Sequence, residues 1–124
     1  MRQATVTGRL SCHRDGYGFV VPDGGGDDVF IPARYLRESM HGDRVRVGLV
    51  AQRGFGRREG RIIETLERGY TTIVGLYEQA GVEGVIIPDD RRITCDITVS
   101  SADRGNARDG EVVVAGIIRY PEAG

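Results

Sequence analysis

The sequence predicts an all-β chain built from two tandem small barrels, and three observations support this fold class. Glycine supplies 19 of the 124 residues, about twice its usual share. Short alternating or β-branched segments lie between the glycines, a pattern typical of strands joined by tight turns and not of a helical bundle. The third observation is a weak internal repeat.

The repeat has three landmarks that keep their order. Each copy opens with a glycine, Gly8 or Gly75. A second glycine followed by apolar residues then leads into a Pro-Asp pair, at residues 18–23 and 84–89. The third landmark is a Gly-acid pair before a valine-rich segment, which begins at Gly42 in one copy and at Gly110 in the other. Two copies of one small domain are therefore expected.

The first copy contains five predicted strands and one predicted helix. The helix spans residues 33–40, because this segment is rich in helix formers and follows Pro32. This element order fits a five-stranded Greek-key barrel of the OB type. The strands are expected at residues 4–10, 17–21, 28–31, 44–51 and 58–66.

The second copy shows only four predicted strands before the sequence ends. The counterpart of the first copy's fifth strand would fall after residue 124. We therefore expect a fragment of a longer protein, with domains at residues 1–68 and 69–124 and with the second barrel incomplete. Its strands are expected at residues 72–79, 82–87, 91–98 and 111–119.

The charge is nearly balanced overall and unequal between the copies. All 17 basic residues other than histidine are arginine, and the net charge is −1. Residues 1–68 have twelve Arg and nine acids (12 − 9 = +3), and residues 69–124 have five Arg and nine acids (5 − 9 = −4). The sequence shows neither a signal peptide nor an apolar segment of membrane-spanning length, so we expect a soluble cytoplasmic protein with no membrane partner. Cys12 and Cys95 lack metal-site spacing and are expected to be reduced thiols.

A glycine-rich aromatic segment is the main candidate for a binding site. Alternation along the second and third strands places three rings on one face, with three aliphatic side chains on the other. Exposed rings beside glycine suit base stacking, which contributes about 1–3 kcal/mol per base. The alternative is that the rings belong to the core of the barrel. The rings are Tyr17, Phe19 and Phe30, and the aliphatic residues are Val20, Val29 and Ile31.

Basic residues near these rings are candidates for phosphate contacts, although a charged, solvated loop is an open alternative for several of them. His13 is either a stacking partner or a solvated turn residue. The remaining candidates are Arg14, Arg34, Phe55, Arg57 and Arg58.

These motifs carry a resemblance that covers about residues 5–120. Segments 16–20 and 28–31 look like the two RNA-binding motifs of cold-shock domains. Together with segments 40–45 and 58–62, they resemble the paired N-terminal cold-shock domains of the ribonuclease R and ribonuclease II family. The resemblance implies single-stranded RNA as the partner. It also implies a parent enzyme that hydrolyses RNA from the 3′ end with Mg²⁺, in a separate catalytic domain towards which these domains guide the strand.

The sequence departs from the cold-shock pattern in three places. Pro32 stands where a histidine is usual, and Cys12-His13 stand where the first strand of a cold-shock domain has aromatic residues. The second copy has no aromatic residue at the stacking positions. The second barrel is therefore expected to pack or orient more than to bind bases. No convergent carboxylates are apparent, so the fragment is expected to be neither an enzyme nor a holder of a cofactor. A structural or protein-docking module is the competing hypothesis, favoured by the acidic second half.

Overall fold

The computed structural model describes residues 4–50 and 58–121, and these residues form two antiparallel sheets. No helix within them is long and apolar enough to cross a membrane. The all-β prediction is confirmed. The strands are β1 (Thr5–Cys12), β2 (Gly18–Pro22), β3 (Val29–Ile31), β4 (Arg44–Leu49), β5 (Gly60–Glu67), β6 (Thr72–Ala80), β7 (Glu83–Pro88), β8 (Ile97–Val99) and β9 (Val112–Gly116).

The first sheet curls until its two outer strands meet. Its strand order is β3-β2-β1-β4-β5. The Phe30 N–H in β3 donates to the Arg58 carbonyl just before β5, over 2.9 Å, and Phe30 also forms a parallel bridge with Glu59. The five strands thus enclose one apolar core, as expected of an OB barrel. Its innermost residues are Leu10, Val20, Val29, Ile31, Val45, Val47 and Ile62.

The second sheet repeats the register of the first. Its order is β8-β7-β6-β9, so β6 and β7 take the places of β1 and β2. Gly8 lies opposite Pro22 in the first sheet, and Gly75 lies opposite Pro88 in the second. A Cβ on either glycine would collide with the backbone carbonyl of the residue before the paired proline. The internal repeat of the sequence therefore corresponds to the same pairing of strands in both sheets.

Two predicted elements are wrong in extent. The helix expected at residues 33–40 is a single 3-10 turn, Ala33–Tyr35. Arg37 has a φ of 57°, which is left-handed and incompatible with a continuing right-handed helix. The strand expected at residues 91–98 is reduced to β8. Just before it, the Asp90 carboxylate accepts the Arg92 N–H and fixes a turn in place of an extended chain.

The second core includes one side chain that precedes β4 in sequence. Met40 is buried with Ile73, Tyr77 and Ile86, although it lies on the first copy's side of the predicted boundary. The two sheets therefore share packing at a junction. The division at residues 68 and 69 stays a prediction.

Candidate nucleic-acid interface

Tyr17, Phe19 and Phe30 lie on the outer face of the first barrel, not in its core. Phe19 and Phe30 are directly opposite each other in the β2–β3 pairing. All three rings are partly exposed, whereas the neighbouring Val20 and Val29 are 0% exposed. The aliphatic residues fill the interior without help from the rings, so the rings lie at the surface of the barrel.

The three rings contact one another, and His13 joins them to form what we term the four-ring cluster. The imidazole of His13 stacks on Tyr17 at a centroid distance of 4.6 Å and an interplanar angle of 6°. Tyr17 meets Phe19 edge-on at 5.9 Å and lies 5.7 Å from Phe30, and the two phenylalanines are 5.5 Å apart. Such tilted and stacked pairs are favourable aromatic geometries.

A tight turn between β1 and β2 produces the stacked pair. The His13 N–H donates to the Tyr17 carbonyl over 2.8 Å, and the Gly16 N–H donates to the His13 carbonyl over 2.9 Å. Gly16 has a φ of 102°, a conformation that side chains disfavour. The turn therefore depends on glycine to bring the two rings face to face.

Asp15 orients the ring of His13. The Asp15 N–H donates to His13 Nδ1 over 3.1 Å, and the Asp15 carboxylate lies 3.5 Å from the same nitrogen. The exposed imidazole is thereby held against the face of Tyr17.

The predicted arginines have different surroundings. Arg58 donates from Nη2 to the Asp27 carbonyl over 2.6 Å, so this side chain ties down the β2–β3 loop. The Arg34 guanidinium lies over the Tyr35 ring, 4.5 Å from its centroid. Arg14 is exposed in the turn that holds His13. The predicted sites Phe55 and Arg57 lie outside the described residues.

Sequence reasoning missed a buried polar centre at the junction, built on Asp43. Asp43 is 1% exposed, and its Oδ2 accepts the Met40 N–H over 2.8 Å. The same oxygen accepts from Arg68 Nη1, and Oδ1 accepts the Gly69 N–H, each over 3.0 Å. The Arg68 side chain also covers the ring of Tyr120 at 4.6 Å. The segment that enters the second sheet is thus tied to the turn before β4.

Histidine 41 lies beside this centre and is 8% exposed. Its Nδ1 accepts the Cys12 N–H over 3.0 Å. Burial lowers the pKa of His41, and Arg92 lowers it further, against smaller opposing effects of Asp90 and Asp43. His41 is therefore a neutral structural acceptor. Its place directly before the Gly42-Asp43 landmark of the internal repeat was the available signal.

The two cysteines line one cavity of about 250 Å³ between the sheets. Both are free thiols. Burial raises the pKa of Cys12 to about 12 and also raises the pKa of Cys95. Within residues 4–50 and 58–121, no three His, Cys, Asp or Glu side chains are grouped to hold a metal ion.

Comparison with known proteins gives family matches to both halves. The Ribonuclease B OB domain matches residues 8–65, and the cold shock domain matches residues 86–124. Ribonuclease R of Acidithiobacillus ferrooxidans is 34% identical over 94% of this chain, and ribonuclease R of Escherichia coli is 38% identical over 94%. The chain spans 27% and 14% of their respective lengths.

Solved structures show the same fold at low sequence identity. A yeast pseudonuclease matches with a TM-score of 0.63 and 15% identity, covering 79% of this chain and 18% of that one. Ribonuclease R of Mycoplasma genitalium, solved with ribose-methylated single-stranded RNA, matches with a TM-score of 0.54 and 15% identity, covering 88% and 14%. With both family domains present in order and ribonuclease R relatives aligned along 94% of its length, the chain belongs to the ribonuclease R family as its tandem cold-shock and OB region.

Proposed function

We propose that this chain binds single-stranded RNA on the outer face of its first barrel and guides it towards the catalytic domain of a longer protein. The parent would be a 3′-to-5′ hydrolytic exoribonuclease that uses Mg²⁺ in that other domain. The observation that carries the proposal is the four-ring cluster. Its rings are in mutual contact, partly exposed and positioned by β2, β3 and the turn at Gly16.

Stacking suits a protein that must accept any sequence. Every base presents a π face, so aromatic platforms bind single strands with little base preference. Arg14 lies in the same turn as His13, where it can contact a phosphate. The relatives named ribonuclease R support RNA as the ligand. A cytoplasmic location remains a prediction.

A docking module is the second candidate function. The acidic second half, with five arginines against nine acids, favours it, because negative charge repels phosphate. The outward-facing Val112 and Val114 of β9, 67% and 71% exposed, also suit a protein partner. In this case RNA contact would be weak.

The deciding experiment is fluorescence anisotropy of a labelled single-stranded RNA titrated with the chain at two salt concentrations. We expect binding that weakens with salt and that is lost when Tyr17, Phe19 and Phe30 are all changed to alanine. Val21→Ala is the matched control, because Val21 follows Phe19 on the same outer face of β2 and is 50% exposed. Binding that survives the triple change would favour docking.

The link to exonuclease activity needs the full-length protein. We expect the triple alanine variant to bind long RNA weakly and to degrade it slowly, while its activity on very short RNA is retained. Equal activity on both lengths would contradict a guiding role for the cluster.

A further inference from the structure

Tyr70 presents a second aromatic surface at the junction of the two sheets. It is 37% exposed. Its ring packs on Gly42, where a Cβ would lie 2.9 Å from the Tyr70 Cε2 and where φ is +88°. The imidazole of His41 is stacked with it at 6.1 Å and 23°. A tyrosine ring supported by a histidine and a left-handed glycine is also the arrangement found in the four-ring cluster.

The position of Tyr70 is fixed by backbone contacts on both sides. Its carbonyl accepts the Tyr120 hydroxyl over 2.7 Å. The preceding residue, Gly69, donates its N–H to the buried carboxylate of Asp43. A ring that is already ordered loses little conformational entropy when a ligand stacks on it.

A row of exposed side chains on β1 connects the four-ring cluster to Tyr70. Ser11 is paired with Phe19 across the β1–β2 ladder, and Arg9 follows two residues along β1 on the same face. Strand geometry gives about 4.8 Å between Phe19 and Ser11 and about 6.7 Å between Ser11 and Arg9. Arg9 Nη1 donates to the Gly42 carbonyl over 3.0 Å, so its guanidinium ends beside the turn on which Tyr70 rests.

We infer that Tyr70 is a second stacking position for single-stranded RNA, with Arg9 as the phosphate contact between it and the four-ring cluster. This inference rests on the proposed function and extends it across the junction. Guanidinium has five N–H donors, and the bond to Gly42 occupies one of them. Arg9 can therefore hold the turn and a phosphate oxygen together.

The test compares two lengths of labelled RNA, about four and about twelve nucleotides, within the range of site sizes known for OB folds. We expect the short RNA to bind at the four-ring cluster, which offers more rings, and the long one to reach Tyr70 as well. We expect Tyr70→Ala to weaken binding of the long RNA by about 5- to 10-fold and to leave the short RNA unaffected. Tyr70→Phe should bind like the unaltered chain. Ile118→Ala, at a site 84% exposed in the second half, is the matched control.

A second readout keeps the test independent of any folding defect in the alanine variant. The chain contains no tryptophan, so Tyr70→Trp introduces one reporter at the site. Its emission should be quenched when the long RNA saturates the protein, and not by the short RNA.

The outcomes separate the two claims. If the unaltered chain binds neither RNA, the proposed function fails and this inference fails with it. If both RNAs bind but the introduced indole shows no quenching with the long one, or Tyr70→Ala weakens both lengths equally, RNA does not stack at Tyr70 and the proposed function stands.

Discussion

Arg68 donates a hydrogen bond from Nη1 to Oδ2 of Asp43 over 3.0 Å, and this pair ties the segment between β5 and β6 to the turn before β4. The Asp43 side chain is 2% exposed and that of Arg68 is 23% exposed. A buried carboxylate of this kind is stable only while its donors remain in place. The pair therefore predicts that small changes at the junction have large effects on stability.

Asp43→Asn should destabilise the protein by roughly 2 to 4 kcal/mol. The amide keeps the shape but loses an acceptor oxygen, so one of the buried donors, Arg68 Nη1, the Gly69 N–H or the Met40 N–H, is left unpaired. Urea unfolding of the two proteins measures the difference. Glu64→Gln is the control, because its partner Arg46 lies in a solvated pair. Equal losses in both variants would contradict a special role for Asp43.

Gly69→Ala should be strongly destabilising. A Cβ at this position would collide with the backbone carbonyl group of Gly42, which cannot rotate away as a side chain can. Gly116→Ala in β9 is the matched control, because nothing lies within 4 Å of its Cβ. Thermal unfolding should separate the two variants clearly. Similar melting temperatures would show that the junction can open without cost.

Acidification should destabilise the fold through His41. Its folded pKa lies below the ordinary value of 6.5, so the unfolded chain binds the proton first as pH falls. The free energy of unfolding is therefore unaffected by His41 well above pH 6.5 and decreases below it. His41→Gln retains an acceptor for the Cys12 N–H and should flatten this dependence.

His13→Ala should weaken RNA binding, by about 5-fold if a base stacks on the imidazole. His13→Phe should retain most of the affinity, because a ring is still present above Tyr17. Asp15→Asn tests the charge beside the ring and should not weaken binding. Anisotropy titrations of the three variants at one salt concentration make the comparison. An alanine variant that binds as tightly as the unaltered chain would place the stacked base elsewhere in the cluster.

Local patterns made most strands and the aromatic face predictable. Alternation predicts that Phe19 and Val20 lie on opposite faces of β2. The structure confirms this, because Val20 is buried in the core while Phe19 lies opposite Phe30 on the outer face. The helix at residues 33–40 was predicted from composition, and composition does not show that Arg37 adopts a left-handed conformation. Helix propensity is a weak guide where a turn is set by packing.

The junction was not predictable, because its contacts join positions far apart in sequence. Asp43 meets Arg68 and Gly69, and His41 meets Cys12, through contacts that no local period signals. At this place the sequence shows only the Gly-Asp pair that forms the third landmark of the repeat. Which of these polar residues becomes buried depends on how the two sheets pack.

The shared register of the two sheets has a consequence for folding fidelity. Gly8 in β1 and Gly75 in β6 each lie opposite a proline of the partner strand, at a place where a Cβ would collide with that strand. The edge of β6 therefore resembles the edge of β1, which is the correct partner of β2. Synthesis from the N-terminus completes the first pairing before β6 exists, whereas dilution from denaturant lets both edges compete. Refolding should therefore give more strand-exchanged molecules than translation does, and more as the protein concentration rises.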